Sequence, residues 1–261
     1  SLVAVADGIS GLAIVDITDP PGAYVSAQVL HLGEANCVAT ADGTAYVGTE
    51  AGHIIAVHLG TATTGARVSL GSAIHDLAFY RDYLLAVTRT APYVIRIIDD
   101  ELVTVASQAV GLFAEGLTGY RRVSVDGPLA YVTSYPGYSA VDLTDPLAPA
   151  LIGDAVEHGP NSFKQLAPTG SGIGVAAVGI NPRPDSIHDV WIYDLRDPQV
   201  RTNFTSQFET PGHARALALH RGLAFVADGA AGLQTLNFLA ADLGDTPPVI
   251  QLDATVPLDP P

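Results

Sequence analysis

The residues best suited to acid–base chemistry are two histidines and a carboxylate. His75 and Asp76 are adjacent, and His213 lies far along the chain. An imidazole beside a carboxylate is a pairing that general acid–base catalysis uses, so these three residues are the candidate catalytic set if the protein is an enzyme. The single cysteine, Cys37, falls in an apolar segment where a buried, inert thiol is expected. The sequence has no G-x-S-x-G nucleophile elbow and no phosphate loop preceding a helix.

Paired aspartates could point to a metal. They occur three residues apart at Asp16 and Asp19, Asp142 and Asp145, and Asp194 and Asp197. Calcium takes six to eight oxygen ligands, and two carboxylates supply too few. We expect instead that these side chains accept backbone N–H bonds in a turn that the following proline helps to fix. The histidines show no H-x-H or HExxH spacing, so the sequence predicts no metal site and no cofactor.

Composition limits the classes of partner. The 261-residue chain has a net charge of −15, with only 12 Lys and Arg residues against 27 Asp and Glu. Binding to nucleic acid or to an anionic membrane surface requires a positive footprint, so neither is expected. No apolar run approaches the length of a membrane span, and no membrane insertion is predicted. Since 48% of the residues are hydrophobic, the chain can bury a large core.

Two phrases recur along the chain and reveal the elements that must position these residues. LAIVDITDP at 12–20 returns as YSAVDLTDP at 138–146 and VWIYDLRDP at 190–198. LVAVADGISGL at 2–12 returns as LAFVADGAAGL at 223–233. Self-similarity at a period of 40 to 50 residues indicates stacked supersecondary units.

Each unit contains four short runs of strand-forming residues separated by Gly-, Asp- and Pro-rich turns. Such units are typical of β-propeller blades, so we predict an all-β fold of six four-stranded blades. The first run of each unit has a small residue at its centre, as expected for the crowded strand nearest the axis. These first strands are predicted at 37–40, 76–79, 122–125, 165–168 and 216–219.

Only five first strands are found for six blades, so the first blade lacks its innermost strand. We expect that strand to precede Ser1, which makes 1–261 a single propeller domain cropped from a longer secreted or surface protein. Alternatively the tail at 254–261 supplies it, although three prolines make poor strand material. Seven or eight blades are expected if cropping removed whole units. The strand at 3–7 is the weak point of closure, because its edge is unpaired.

The repeated phrases resemble the repeat named for its consensus LVIVD, as does ADG-x-x-GL at 6–12 and 227–233. Units two and three, around HIIAVHLGT and VIRIIDDE, depart from it because they lack the Asp-Pro turn. The resemblance implies a prokaryotic protein that is extracellular or located at the cell surface. It implies no catalytic residues, since the family has no agreed active site.

A propeller sorts its loops to two ends. One end, which we call the channel mouth, carries the connections between blades and the loops between second and third strands; the other end should be strongly acidic. Long loops at 110–120 and 179–189 belong to the mouth. The residues that we predict to form a ligand-binding surface there are His53, Arg89, Tyr93, Arg121, Tyr135, Tyr138, His158, Arg183, His188 and His213. Clustered cations in a concave site would attract an anionic ligand.

The leading functional prediction is a non-catalytic module that binds protein or glycan through the channel mouth, next to other domains of the same polypeptide. The alternative is a hydrolase or lyase with a His and carboxylate site at the same mouth. Propeller enzymes assemble their sites from separate blades, so the lack of a linear motif does not decide between the two. A third possibility is a structural spacer between domains.

Overall fold

A computed structural model describes residues 1–89, 91–108, 121–134, 137–153, 163–178, 189–200 and 203–239. Within these ranges the chain forms antiparallel sheets that follow one another along the sequence. The first three sheets contain β1 (Leu2–Ala6), β2 (Leu12–Asp16) and β3 (Tyr24–Val29); β4 (Ala35–Ala41), β5 (Thr44–Thr49), β6 (His53–His58) and β7 (Thr63–Ser69); and β8 (Ile74–Tyr80), β9 (Tyr83–Thr88), β10 (Pro92–Ile98) and β11 (Glu101–Ser107).

The other three sheets contain β12 (Val123–Asp126), β13 (Leu129–Ser134), β14 (Gly137–Asp142) and β15 (Ala150–Ile152); β16 (Phe163–Pro168), β17 (Ile173–Val178), β18 (Asp189–Asp194) and β19 (Phe204–Glu209); and β20 (Ala216–His220), β21 (Leu223–Ala227) and β22 (Leu233–Asn237). The helical elements described are two single 3-10 turns, at Pro20–Gly22 and Gly229–Ala231. In the ranges given above, no helix has the length and apolar character needed to cross a membrane.

The six sheets are the blades of a six-bladed β-propeller, which confirms the predicted fold. The first blade opens at the position of a second strand, as predicted, and is three-stranded. Its strand β1 has an exposed edge, with Leu2, Val3 and Val5 each about 40% accessible. In the sixth blade the structure describes β20 to β22. The fourth strand that a four-stranded unit predicts for this blade, and the tail at 254–261 that could close the ring, lie outside the described residues.

The core lies between blades. Five clusters of buried apolar side chains occupy five successive junctions, from blades one and two to blades five and six. The second strands of blades two to five are deeply buried, because both of their faces pack against neighbouring blades. Each of β5, β9, β13 and β17 is buried at all but its first residue. Continuous apolar runs such as VAAV in β17 suit strands that are covered on both sides.

The repeated phrase ADG-x-x-GL forms the same loop in blades one and six. In blade one Asp7 N–H donates to Gly11 O at 2.8 Å, and in blade six Asp228 N–H donates to Gly232 O at 2.8 Å. The glycine after each aspartate has a φ of 55° or 60°, and the glycine that closes each loop has a φ near 80°. The sequence repeat therefore encodes a backbone conformation that only glycine adopts without strain.

The innermost strands are also joined across the blade junctions by hydrogen bonds from side chain to backbone. Asn36 Nδ2 donates to Ile74 O (3.2 Å), Val123 N–H to Asp76 Oδ2 (2.9 Å), Ser124 Oγ to Leu166 O (2.5 Å) and Leu217 N–H to Gln165 Oε1 (3.0 Å). Each bond links one blade to the next, across four successive junctions. Blades one and two are joined by a backbone bridge between Gly8 and Ala35.

Gly11 provides a test of the repeated loop. It has a φ of 81°, and a Cβ built on it would lie 2.2 Å from Val29 O in the neighbouring strand. We expect Gly11→Ala to lower the free energy of unfolding by about 3 kcal/mol or more, from backbone strain plus the steric clash. The measurement is urea unfolding followed by circular dichroism.

Gly33→Ala is the matched control. Gly33 has a φ of 91°, but a Cβ there meets no atom within 4 Å. This variant should lose only about 1–2 kcal/mol, the cost of the left-handed conformation. Equal losses in the two variants would contradict the packing described for the loop.

Candidate functional site

The innermost strands share an irregularity at the channel mouth. The pairing with the second strand skips one residue at Asn36 in blade two, His75 in blade three and Lys164 in blade five. The skipped residue of such a bulge is left out of the ladder, and its side chain is redirected. Three blades thus present a polar nitrogen-bearing side chain at the same structural position.

Arg121 and Arg215 stand at the equivalent positions of the other two blades that have an innermost strand. In blade four, Arg122 O accepts the N–H of Thr133 at 2.9 Å, so Arg121 directly precedes the first paired residue. In blade six, Arg215 precedes Ala216, which pairs with Ala227. We name the set Asn36, His75, Arg121, Lys164 and Arg215 the mouth ring.

Burial partly dehydrates the ionisable side chains of the mouth ring. Arg121 is only 6% exposed, and burial together with the nearby charge of Arg89 lowers its pKa to about 10. Burial and then Arg121 lower the pKa of His75, with Arg89 acting in the same direction and Glu50 against them. Burial and the charge of Arg215 lower the pKa of Lys164. Each of these shifts disfavours the charged form of the side chain that it affects.

A cavity of about 550 Å³ opens beside this cluster. Side chains from blades one to four line it, so it belongs to the central channel. The lining residues are Ala6, Gly8, Glu34, Ala35, Asn36, Cys37, Val38, His75, Asp76 and Arg122. Its volume is within the usual range for small-molecule sites. The thiol of Cys37 is buried, and its pKa is raised, first by burial and then by Asp76, which disfavours the reactive thiolate.

The candidate catalytic residues are only partly brought together. His75 and Asp76 line the cavity, whereas His213 is not among its lining residues. His213 precedes β20, where its N–H donates to Asp228 O at 3.2 Å. Asp76 joins blades three and four through Val123, and burial raises its pKa. Across the described ranges, no three His, Cys, Asp or Glu side chains are grouped so as to hold a metal ion.

The residues predicted to form the ligand-binding surface differ in how far they are exposed at the mouth. Arg89 is exposed at the mouth, while His53 is half-buried at the start of β6. Tyr93 is half-buried and packs against the cluster between blades two and three. Arg121 lies below the surface. Four of the predicted residues fall outside the described residues: Tyr135, His158, Arg183 and His188.

The prediction for Tyr138 is wrong. This side chain is 4% exposed and belongs to the core between blades four and five. Its ring lies 5.8 Å from that of Tyr193 and 6.0 Å from that of Phe163. Tyr138 is on β14, where it faces the next blade rather than the mouth, so it cannot contribute to a ligand surface.

The paired aspartates have the structural role that was predicted. The first aspartate of each pair accepts the N–H two residues on: Asp16 from Thr18 (2.8 Å), Asp142 from Thr144 (2.7 Å) and Asp194 from Arg196 (3.0 Å). These bonds fix the turn after the third strand of three blades. The pKa of all three carboxyl groups is lowered. The side-chain hydroxyl groups of Thr18 and Thr144 are the first cause at Asp16 and Asp142, and the backbone N–H groups are the second. The Arg196 guanidinium is the main cause at Asp194, whose pKa falls to about 2.

The architecture defines a six-bladed β-propeller, and its channel opening carries both cations and carboxylates. Over 90% of its length the chain is similar to the computationally designed Ika8 protein, with 12% identity, a TM-score of 0.62 and 67% of that chain covered. It is also similar to the β-propeller domain of Cps50 (Swd1) from Myceliophteria thermophila, with 12% identity, a TM-score of 0.52 and coverage of 90% of this chain and 93% of that one. No family model and no curated protein matches the chain. The similarity therefore shows the fold alone.

Three members of the mouth ring are not among the predicted catalytic or ligand-binding residues: Asn36, Lys164 and Arg215. Aligning the five first strands one residue before their apolar runs places all three in a single column with His75 and Arg121. The column has no consensus residue type, so the repeated phrases do not reveal it.

The aspartate turns predict a dependence of stability on pH. Because the folded pKa values of Asp16, Asp142 and Asp194 lie below the unfolded value of about 3.9, their contribution is complete above that pH and is lost as pH falls towards about 2. We expect the triple variant D16N/D142N/D194N to lose less free energy of unfolding than the wild type between pH 5 and pH 2.5. Urea unfolding across this range measures it, and identical pH profiles would contradict the assignment.

Proposed function

We propose that this propeller is a non-catalytic binding module that takes a protein or glycan ligand at its channel mouth. The observation that carries the proposal is the concentration of cations there. Of only 12 Lys and Arg residues in a chain of net charge −15, five lie at or next to the mouth ring: Arg89, Arg121, Arg122, Lys164 and Arg215.

The position of these cations favours ligand attraction over general surface charge. Of the five, Arg122 lines a concave cavity of the central channel, and walls of low dielectric constant concentrate the local field there. The opposite end of the propeller is acidic, because it carries the aspartate turns and the hairpin between first and second strands that includes Asp42. The cations at the mouth are mixed with the carboxylates Glu34 and Asp76, and they are the groups that would attract the negative part of a ligand.

The setting of the module belongs to the same proposal. The resemblance to LVIVD repeats supports a prokaryotic protein that is secreted or displayed at the cell surface, with further domains in the same polypeptide as neighbours. A role as a spacer between those domains would not require the cationic mouth, and this argues for binding over spacing.

A hydrolase or lyase is the second candidate, because His75, Asp76 and Arg122 line one cavity. Against it, Asp76 already accepts an inter-blade bond and His213 is not part of the cavity lining. Turnover of any glycan or peptide that is lost in His75→Gln, in protein with unchanged thermal stability, would favour the enzyme.

The binding proposal is tested by screening glycan and protein arrays with the wild type and two charge variants. R89Q/R122Q/R215Q removes three exposed cations at the mouth, whereas R81Q/R221Q removes two exposed cations from hairpin tips at the other end. We expect the array signals bound by the wild type to fall at least about tenfold in R89Q/R122Q/R215Q and to persist in R81Q/R221Q, since charge-assisted contacts contribute strongly to binding affinity. Ligands retained by the mouth variant but lost by the control would overturn the proposal.

A further inference from the structure

The inner edge of blade one is open, and the phase of its hydrogen bonds shows which groups it offers. Ser1 O accepts the N–H of Ile17 at 2.9 Å, and Asp7 N–H donates to Gly11 O beyond the other end of β1. Because alternate residues of an antiparallel strand bond to the same neighbour, the odd-numbered residues of β1 face β2. The even-numbered residues direct their N–H and C=O groups to the other side: Leu2, Ala4 and Ala6. In the part of the chain that the structure describes, these groups have no hydrogen-bond partner.

Blade six carries the same phrase and shows how such an edge is filled. The repeat ADG-x-x-GL places Asp228 where blade one has Asp7. Asp228 is fully buried, and its carboxylate accepts Thr210 Oγ1 at 2.7 Å and the N–H of Gly212 at 2.8 Å. Both donors lie just before β20, the innermost strand of blade six. The aspartate of the repeat therefore receives the chain segment that leads into the inner strand.

In blade one the groups that an inner strand would cover are exposed. The carboxylate of Asp7 is exposed and accepts Gln28 Nε2 at a long distance of 3.4 Å, instead of the two short bonds that Asp228 has. Val3 and Val5 are 39% and 42% exposed. Polar and apolar groups that are covered together in blade six are thus accessible together in blade one.

The cavity of the central channel reaches the mouth end of this open edge. Ala6 and Gly8 line it, together with Glu34 and residues of β4. In blade six a cation stands at the equivalent place, since a Cβ built on Gly229 would lie 3.6 Å from Arg215 Nε. A cation in the same position of blade one would stand beside Gly8 and near the exposed carboxylate of Glu34, which is a favourable charge pairing.

We propose that the open edge of β1 binds an extended peptide segment of a partner protein, which adds a strand and completes blade one. The segment enters at the channel mouth with a Ser or Thr and a Gly that donate to Asp7. A Lys or Arg follows and faces Glu34, and alternating small and apolar residues then pair with β1. This inference rests on the proposed function, since it names a protein segment as the ligand of the same mouth.

An extended segment of a partner suits this edge better than the tail or a second copy does. The tail at 254–261 contains three prolines, and proline has no N–H to donate to a strand ladder. The β1 of a second copy is paired with β2, and the loop after it is bridged to blade two of its own ring, so it is not free to enter this one. Two carboxylates at the mouth end and an uncharged strand below them match a peptide that begins with donors and continues with apolar residues.

The test is isothermal titration calorimetry of the 261-residue chain with a synthetic peptide, acetyl-TPGHARALALH-amide, copied from 210–220 of blade six. In blade six Leu217 N–H donates to Gln165 of the preceding blade, so the N–H of Ala218 faces the second strand. Replacing the amide of Ala218 in the peptide by an ester should weaken binding at least about fivefold, because a bond to β1 is lost. The matched ester at Leu219, whose N–H points away from β1, should change binding by less than about twofold.

A variant of the protein tests the entry contact. Asp7→Ala should weaken peptide binding at least about tenfold, because it removes the carboxylate that accepts two hydrogen bonds. The matched control is Asp19→Ala, which removes an exposed carboxylate from the other end of the same blade and should change binding by less than about twofold. A peptide with Val in place of its Thr should bind the wild type more weakly, but should lose little further affinity for Asp7→Ala. Thermal unfolding confirms that both variants are folded.

Amide hydrogen exchange locates the bound peptide. The N–H groups of Ala4 and Ala6 should exchange rapidly in the free chain and at least about tenfold more slowly in the complex. Those of Val3 and Val5 should change little, because they already bond to β2.

Four results would overturn the inference. The first two are no binding of the peptide, and equal losses from the two esters. The third is slow exchange of Ala4 and Ala6 in the free chain, which would show that the tail or a second copy already covers the edge. The fourth is loss of peptide binding when the chain carries any residues that its gene encodes before Ser1, which would show that the polypeptide supplies the strand itself.

The outcome also separates this inference from the proposed function. If the peptide does not bind but the arrays map another ligand to the mouth, the strand inference fails and the proposed function stands. If the arrays show no ligand sensitive to R89Q/R122Q/R215Q either, both fail.

Discussion

The structure depends on the hydrogen bonds made by the backbone N–H and C=O groups at the inner edge of each blade. The innermost strand pairs with its second strand on one side only, so its other edge presents backbone N–H and C=O groups without a strand partner. A buried polar group left without a hydrogen bond costs about 1–3 kcal/mol. Here side chains of the preceding blade supply the missing partners, as where Asp76 accepts from Val123 and Gln165 accepts from Leu217. Neighbouring blades are thereby held in a fixed relation around the axis.

The same short segments also build the mouth. In blade three the bulge leaves His75 out of the ladder, while the next residue, Asp76, points to blade four and joins it. In blade five Lys164 and Gln165 divide the two roles in the same way. Adjacent residues are thus divided between the channel mouth and the blade junction. This division explains why a histidine–carboxylate pair that suggests catalysis in the sequence has its carboxylate committed to a structural bond.

The fold could be predicted from the sequence, because each signal was local and repeated. The turn aspartates, the ADG-x-x-GL glycines and the apolar runs act within a few residues, and they repeat often enough to count the blades. The mouth ring was harder to predict from the sequence, because its residues come from different blades and differ in residue type. Tyr138 illustrates why. Its position at the start of a strand predicted a place near the mouth, but its packing against Tyr193 and Phe163 shows that it faces the core.

Amide hydrogen exchange most directly measures the hydrogen bonds that join the innermost strand of one blade to side chains of the preceding blade. The account predicts that the N–H groups of Val123 and Leu217, which point away from their own sheets, exchange slowly because side chains of the preceding blades accept them. In Gln165→Ala, exchange at Leu217 should accelerate at least about tenfold while Val123 keeps its protection, since a lost hydrogen bond of this kind is worth about 1 kcal/mol or more. Rapid exchange of both groups in the wild type, or an unchanged rate at Leu217 in the variant, would contradict it.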